Sequence, residues 1–219
     1  EANGSELNVG DAMIRDGVLY IMLAGNLESN FNKLEIFVDA RLGGQNTLRN
    51  DNPDVNFNGL NRMGPDPDDA KSIGLTFDEG FEPDLYVTLG GGITKTEDGE
   101  AYVFYADAAE LRSEGGGNGA YLGSGGAGPE GALDGSNGIM IAVDNSNVGG
   151  VSWGTGISCG EGVTTGIEIG IPLYLFDWDE PQNVEDAAIC AFINSADHDY
   201  VSNQVLGGIG GGDNFGEPR

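Results

Sequence analysis

Residues 34–64, LEIFVDARLGGQNTLRNDNPDVNFNGLNRMG, carry the plan of the whole chain. Leu34, Ile36 and Val38 alternate with Glu35, Phe37 and Asp39, the two-residue period of a strand with one face on a core. The strand then breaks into a loop crowded with Asn, Asp and Gly. Within that loop, Asp54-x-Asn56-x-Asn58-Gly59 sets three oxygen-bearing side chains at alternate positions, ahead of a glycine that permits a sharp turn. Hard cations such as Ca2+ are held by oxygen sets of this kind, so Asp51, Asp54, Asn56 and Asn58 are the candidate metal ligands. An EF-hand is excluded, because the twelfth position of that loop needs an acidic residue and here falls on Pro65. The same residues also suit an Asx-turn loop closed by its own hydrogen bonds, and both readings stand.

Outward from this stretch the pattern repeats. Asp16-Gly17 between Ala12–Arg15 and Val18–Gly25 is a hairpin signal, and the second run is apolar on both faces, as for a covered central strand. The long loop is expected to run to about Lys71. Ile73, Leu75 and Phe77 alternate as a further strand, and Leu85–Leu89 with Ala101–Ala106 read as a second hairpin. Ala108–Leu111 suggests a helical turn. Ile139, Ile141 and Val143 resume the alternation, then Val163–Leu173, ending at Pro172, then Ala188–Asn194 and Tyr200–Leu206. Gly123-x-Gly125-x-x-Gly128 matches the dinucleotide fingerprint formally. Without a strand before it and a helix after it, the match is a coincidence of glycine content.

The sum is an all-β chain, an antiparallel β-sandwich of jelly-roll type with long Gly/Asn/Asp-rich loops. A single domain over residues 1–219 is expected, with 1–10 as an N-terminal arm and 207–219 as a Gly-rich C-terminal tail. Glycine reaches 39 of 219 residues but shows no triplet period, which excludes collagen.

Thirty-six acidic residues against nine basic ones leave a net charge of −27, which repels nucleic acid phosphates and anionic membranes. No apolar run approaches the roughly 18 residues of a membrane span, so no membrane insertion is expected. The chain opens at Glu1 with no signal peptide, which fits a processed mature form, and Asn3-Gly4-Ser5 is its one glycosylation sequon. Cys159 and Cys190 belong to no CxxC motif, which argues against zinc or redox chemistry. They read as a disulfide across neighbouring strands or sheets, implying an oxidising extracellular or cell-surface location, or as two buried thiols.

Four segments together carry a likeness: LYIMLAGNLE at 19–28, LEIFVDA at 34–40, GIEIGIPL at 166–173 and AAICAFINSADHD at 187–199. They resemble the strands of DOMON-type domains and family-nine carbohydrate-binding modules, where an early strand pair and a late strand ending in Ile-Pro recur. The resemblance implies a β-sandwich and a ligand such as a sugar or haem. Haem there leans on Met and His ligands, and His198, flanked by Asp197 and Asp199, reads as part of a solvated loop. For a polysaccharide ligand, the resemblance implies exposed aromatic platforms, and Trp153, Tyr174 and Trp178 are the candidates. The same rings also suit the ends of a core.

Catalytic machinery is not legible. There is no G-x-S-x-G elbow, His198 is the sole histidine, and carboxylates are too numerous for any pair to stand out. The expectation is therefore a non-enzymatic structural or interaction protein, calcium-stabilised, that associates with itself or with other surface proteins, as a subunit of an extracellular assembly or filament. The alternative is a polysaccharide-binding module.

Overall fold

The computed structural model describes residues 4–126, 131–147, 163–176, 187–206 and 214–218. Among them are eleven strands in two antiparallel sheets. The strands are β1 (Glu6–Arg15), β2 (Val18–Asn26), β3 (Asn30–Asp39), β4 (Leu85–Thr96), β5 (Gly99–Glu110), β6 (Gly119–Gly126), β7 (Leu133–Asp134), β8 (Met140–Val143), β9 (Gly166–Pro172), β10 (Ala188–Asn194) and β11 (Val201–Leu206). One sheet runs β1-β2-β9-β8-β7 and the other β11-β10-β3-β4-β5-β6. The expected all-β sandwich is the architecture found.

The alternation read from the sequence is what joins the layers. Leu34, Ile36 and Val38 of β3 face Leu19, Ile21 and Leu23 of β2 and Ile167, Ile169 and Ile171 of β9 in one core cluster. Each of these side chains is almost wholly buried, and each contributes on the order of 2 kcal/mol of transfer free energy.

β3 is covered on its other face as well. Lys33, Glu35 and Phe37 point away from the sandwich core yet are 7%, 0% and 0% exposed. The cover is the chain between β3 and β4, which crosses the outer face of the six-stranded sheet. It brings Leu48, Val55, Leu60 and Met63 down onto Phe37, Tyr86 and Phe192 as a second, smaller core. A short helix, α1 (Gly59–Arg62), lies within it. The connection is long because it is a third layer, folded by burial against strand faces rather than by its own ladder.

Several boundaries differ from the sequence reading. β1 begins at Glu6, so the second half of the expected arm, residues 6–10, belongs to a strand paired with β2. The strand expected around Ile73, Leu75 and Phe77 is reduced to an isolated bridge, Thr47 with Thr76. Ala108–Glu110 continues β5, where pairing to β4 and β6 overrides the helical leaning of its alanines. Of the expected tail, Asn214–Pro218 is described and is tied back by Gly216 bridging Val201.

Candidate functional site

Sheet register assembles the first site. On the outer face of the six-stranded sheet, Phe192, Glu35, Thr88 and Asp107 form one cross-strand row, flanked by a row of Asn194, Lys33, Gly90 and Tyr105. Glu35 is the hub. Its Oε2 accepts from the Tyr86 hydroxyl at 2.7 Å, and its Oε1 lies 2.6 Å from His198 Nδ1 and accepts from Asn194 Nδ2 at 3.2 Å. The other His198 ring nitrogen, Nε2, meets Asn56 Oδ1 at 2.9 Å, and Asn56 Nδ2 donates to Asp107 at 2.8 Å. Burial pushes the Glu35 carboxyl up, but the His198 charge and the hydrogen bonds of His198 and Tyr86 outweigh it and hold the group below its usual value. Lys33 is shifted down, first by burial, against the pull of Glu35 and Asp107.

Local backbone makes this closure feasible. Asn56, Phe57 and Asn58 are all left-handed (φ 46°, 56° and 63°), and so is His198 (φ 63°). Gly59 then lies flat on the imidazole, where a Cβ would sit 2.1 Å from His198 Cδ2, so only glycine fits. His198 is 1% exposed, which corrects its reading as part of a solvated loop. Both its nitrogens are engaged inside the protein. The arrangement is a clamp that fixes the covering segment to the sheet, with no face open to a substrate.

The expected cation ligands are placed as follows. Arg49 holds Asp51 through both carboxylate oxygens at 2.7 and 2.6 Å. Asn56 belongs to the clamp, Asn58 Oδ1 accepts from Asn61 Nδ2 at 2.7 Å, and Asp54 is exposed. Three of the four are thus engaged by protein partners. Among the described residues no group of three or more His, Cys, Asp or Glu side chains is placed to hold a metal ion. Among the described residues Cys190 is a free thiol and no disulfide is seen, while its expected partner Cys159 lies outside them, as do Trp153 and Trp178.

Tyr174 is the expected ligand-binding ring that is described. It stands 64% exposed on the 3-10 turn Leu173–Phe176 after β9, with its hydroxyl donating to the Asn137 carbonyl at 2.7 Å. It overlooks a groove of about 420 Å³ lined by Arg41, Glu110, Arg112, Asn118 and Asn137. Glu110 takes Arg112 at 2.7 Å and Arg41 at 2.9 Å, which hold its carboxyl down at about 2, with Arg112 the larger cause. Asp84, behind them, is pushed up to about 6 by burial, although the Ala40 and Arg41 amides and the Arg41 guanidinium oppose the shift.

A third feature has no sequence motif. The outer face of the five-stranded sheet carries Met13, Tyr20, Gly170 and Met140 in one cross-strand row. Met13, Tyr20 and Met140 are 53%, 40% and 36% exposed, and Gly170 has no side chain to hold them apart. Met22 lies in the next row, so three of the chain's four methionines share this face. The signal was in the sequence, as the Tyr20 and Met22 positions opposite Leu19, Ile21 and Leu23.

Comparison with protein-family models, with curated proteins and with solved structures found no match.

Proposed function

We propose that this chain is a non-enzymatic, extracellular interaction protein that associates with further copies of itself through the outer face of its five-stranded sheet. The row Met13–Tyr20–Gly170–Met140 carries the reading. Thioether and phenol side chains that adapt to a partner are exposed together across four strands. A second copy suits this face because the flanking charges are complementary under two-fold symmetry. On β1, Asp11 lies on one side of the row and Arg15, which also pairs with Asp16 at 3.3 Å, on the other, so a two-fold axis along the row sets Asp11 of each copy over Arg15 of its mate. The closed Glu35–His198 clamp fits the non-enzymatic part. His198 is the sole imidazole in the sequence, and its pairing with Glu35 spends both groups on structure.

Sedimentation velocity across a concentration series tests it. Wild type is expected to associate, and Met13→Glu with Tyr20→Glu to leave a folded monomer. A wild type that stays monomeric at every concentration and salt overturns the assignment.

A second reading rests on Tyr174, an exposed ring beside guanidinium, carboxylate and amide groups, the chemistry that recognises a polysaccharide. Retardation on polysaccharide gels, abolished by Tyr174→Ala, is its expected result. Equal mobility with and without polysaccharide removes it.

A further inference from the structure

A second cleft, of about 520 Å³, opens on the outer face of the six-stranded sheet, between residues 75–81 of the covering segment and the C-terminal residues 214–218. Its floor is the outward side of β10 and β11, where Cys190 sits. Phe77 and Phe81 form one wall as an angled pair, ring centroids 5.2 Å apart and planes at 64°, and Phe37 backs Phe77 at 4.9 Å. Phe215 forms the opposite lip, 53% exposed. It is held there because Val201 and Gly216 exchange two backbone hydrogen bonds, of 2.7 and 3.1 Å. The rim carries Asp78 and Glu217. Among the described residues that line the cleft there is no Lys, Arg or His.

These features select for charge as well as shape. Aromatic faces present their negative quadrupole to a bound group, and apolar walls keep water from screening it. Carboxylates at the rim add attraction for a cation and repulsion for an anion. The Asp78 charge is felt at the floor: burial first, and then Asp78, push the Cys190 thiol up to about 11.

We infer that this cleft binds an organic ammonium ion carrying an apolar body, with the body against Phe77, Phe81 and Phe215 and the charged head at Asp78 and Glu217. The site is separate from the assembly face, which lies on the other sheet, and does not depend on it.

Three ligands of one shape and different charge test it: phenylbutylammonium, phenylbutanol and phenylbutyrate, titrated calorimetrically at physiological salt. The ammonium is expected to bind about tenfold more tightly than the alcohol, the size of a partly desolvated cation–aromatic contact, and the carboxylate more weakly than either. Asp78→Asn combined with Glu217→Gln is expected to erase the difference between ammonium and alcohol, while Phe215→Ala weakens both. All three side chains are exposed, so the fold tolerates the changes. As an independent readout, the ammonium is expected to slow maleimide alkylation of Cys190, followed by peptide mass mapping that separates it from Cys159. Equal affinity for the three ligands, no binding, or ammonium binding that survives both sets of substitutions overturns the inference. The last result places the cation on the general acidic surface instead.

Discussion

Glu35 occupies the centre of an apolar strand with both oxygens engaged, so its removal strands several partners at once. Glu35→Ala leaves the Tyr86 hydroxyl, Asn194 amide and His198 ring without their acceptor in a buried place, and is expected to cost about 3–5 kcal/mol in urea unfolding. Gly59→Ala is expected to cost about 1–3 kcal/mol by overpacking, since its methyl meets the His198 ring. Two carboxylates give opposite pH signatures. Glu110, held at about 2 against an ordinary 4.5, contributes stability that is present above pH 4.5 and lost as pH falls toward 2. Asp84, raised from 3.8 to about 6, favours the folded state below pH 3.8, and that contribution is lost as pH rises through 6. Urea unfolding at a series of pH values should therefore show Glu110→Gln flattening the acid limb. Asp84→Asn should gain on wild type between pH 4 and pH 7.

At the scale of elements, the covering segment between β3 and β4 is the part most open to test, because it has a small core of its own. Leu60 is fully buried there, and Leu60→Ala is expected to cost about 2–5 kcal/mol. Hydrogen exchange should show the loss in the amides of Gly59, Met63 and Leu75, which bond within the segment, before it appears in β4 and β5. Strands β2, β3, β9 and β10 were legible in the sequence because alternation is a local signal of a buried face. The cover was not, because a second buried face shows only when distant chain returns to it. Phe37 beside Glu35 was the available hint, an aromatic on what looked like the solvent side. Isolated alternation misled at Ile73, which is 68% exposed, since a strand also needs a neighbour to pair with. The apolar row on the other sheet was half legible. Tyr20 and Met22 show that β2 is apolar outward, but only the register brings Met13 and Met140 beside them.

For the whole molecule, the dominant fact is 36 acidic residues against nine basic ones. Like charges at this density repel within one chain and between copies, and raising salt shortens the reach of that repulsion from about 10 Å at 0.1 M to about 3 Å at 1 M. Melting temperature is therefore expected to rise with sodium chloride. Self-association through the Met13–Tyr20–Met140 face is expected to strengthen as well, since an apolar contact opposed by charge gains from screening. The flanking Asp11–Arg15 pairs are weakened by the same screening, so a rising slope means that the apolar row and the net repulsion outweigh them, and a falling slope assigns the contact to those pairs instead. Calcium chloride at matched ionic strength resolves what remains. A further rise in melting temperature that Asp54→Ala removes identifies a bound ion at the Asp54 loop, because only a ligand specific to the folded state adds stability beyond screening. A rise equal to that in sodium chloride assigns the whole effect to the surface field. In that case the carboxylates act through their number rather than through a site.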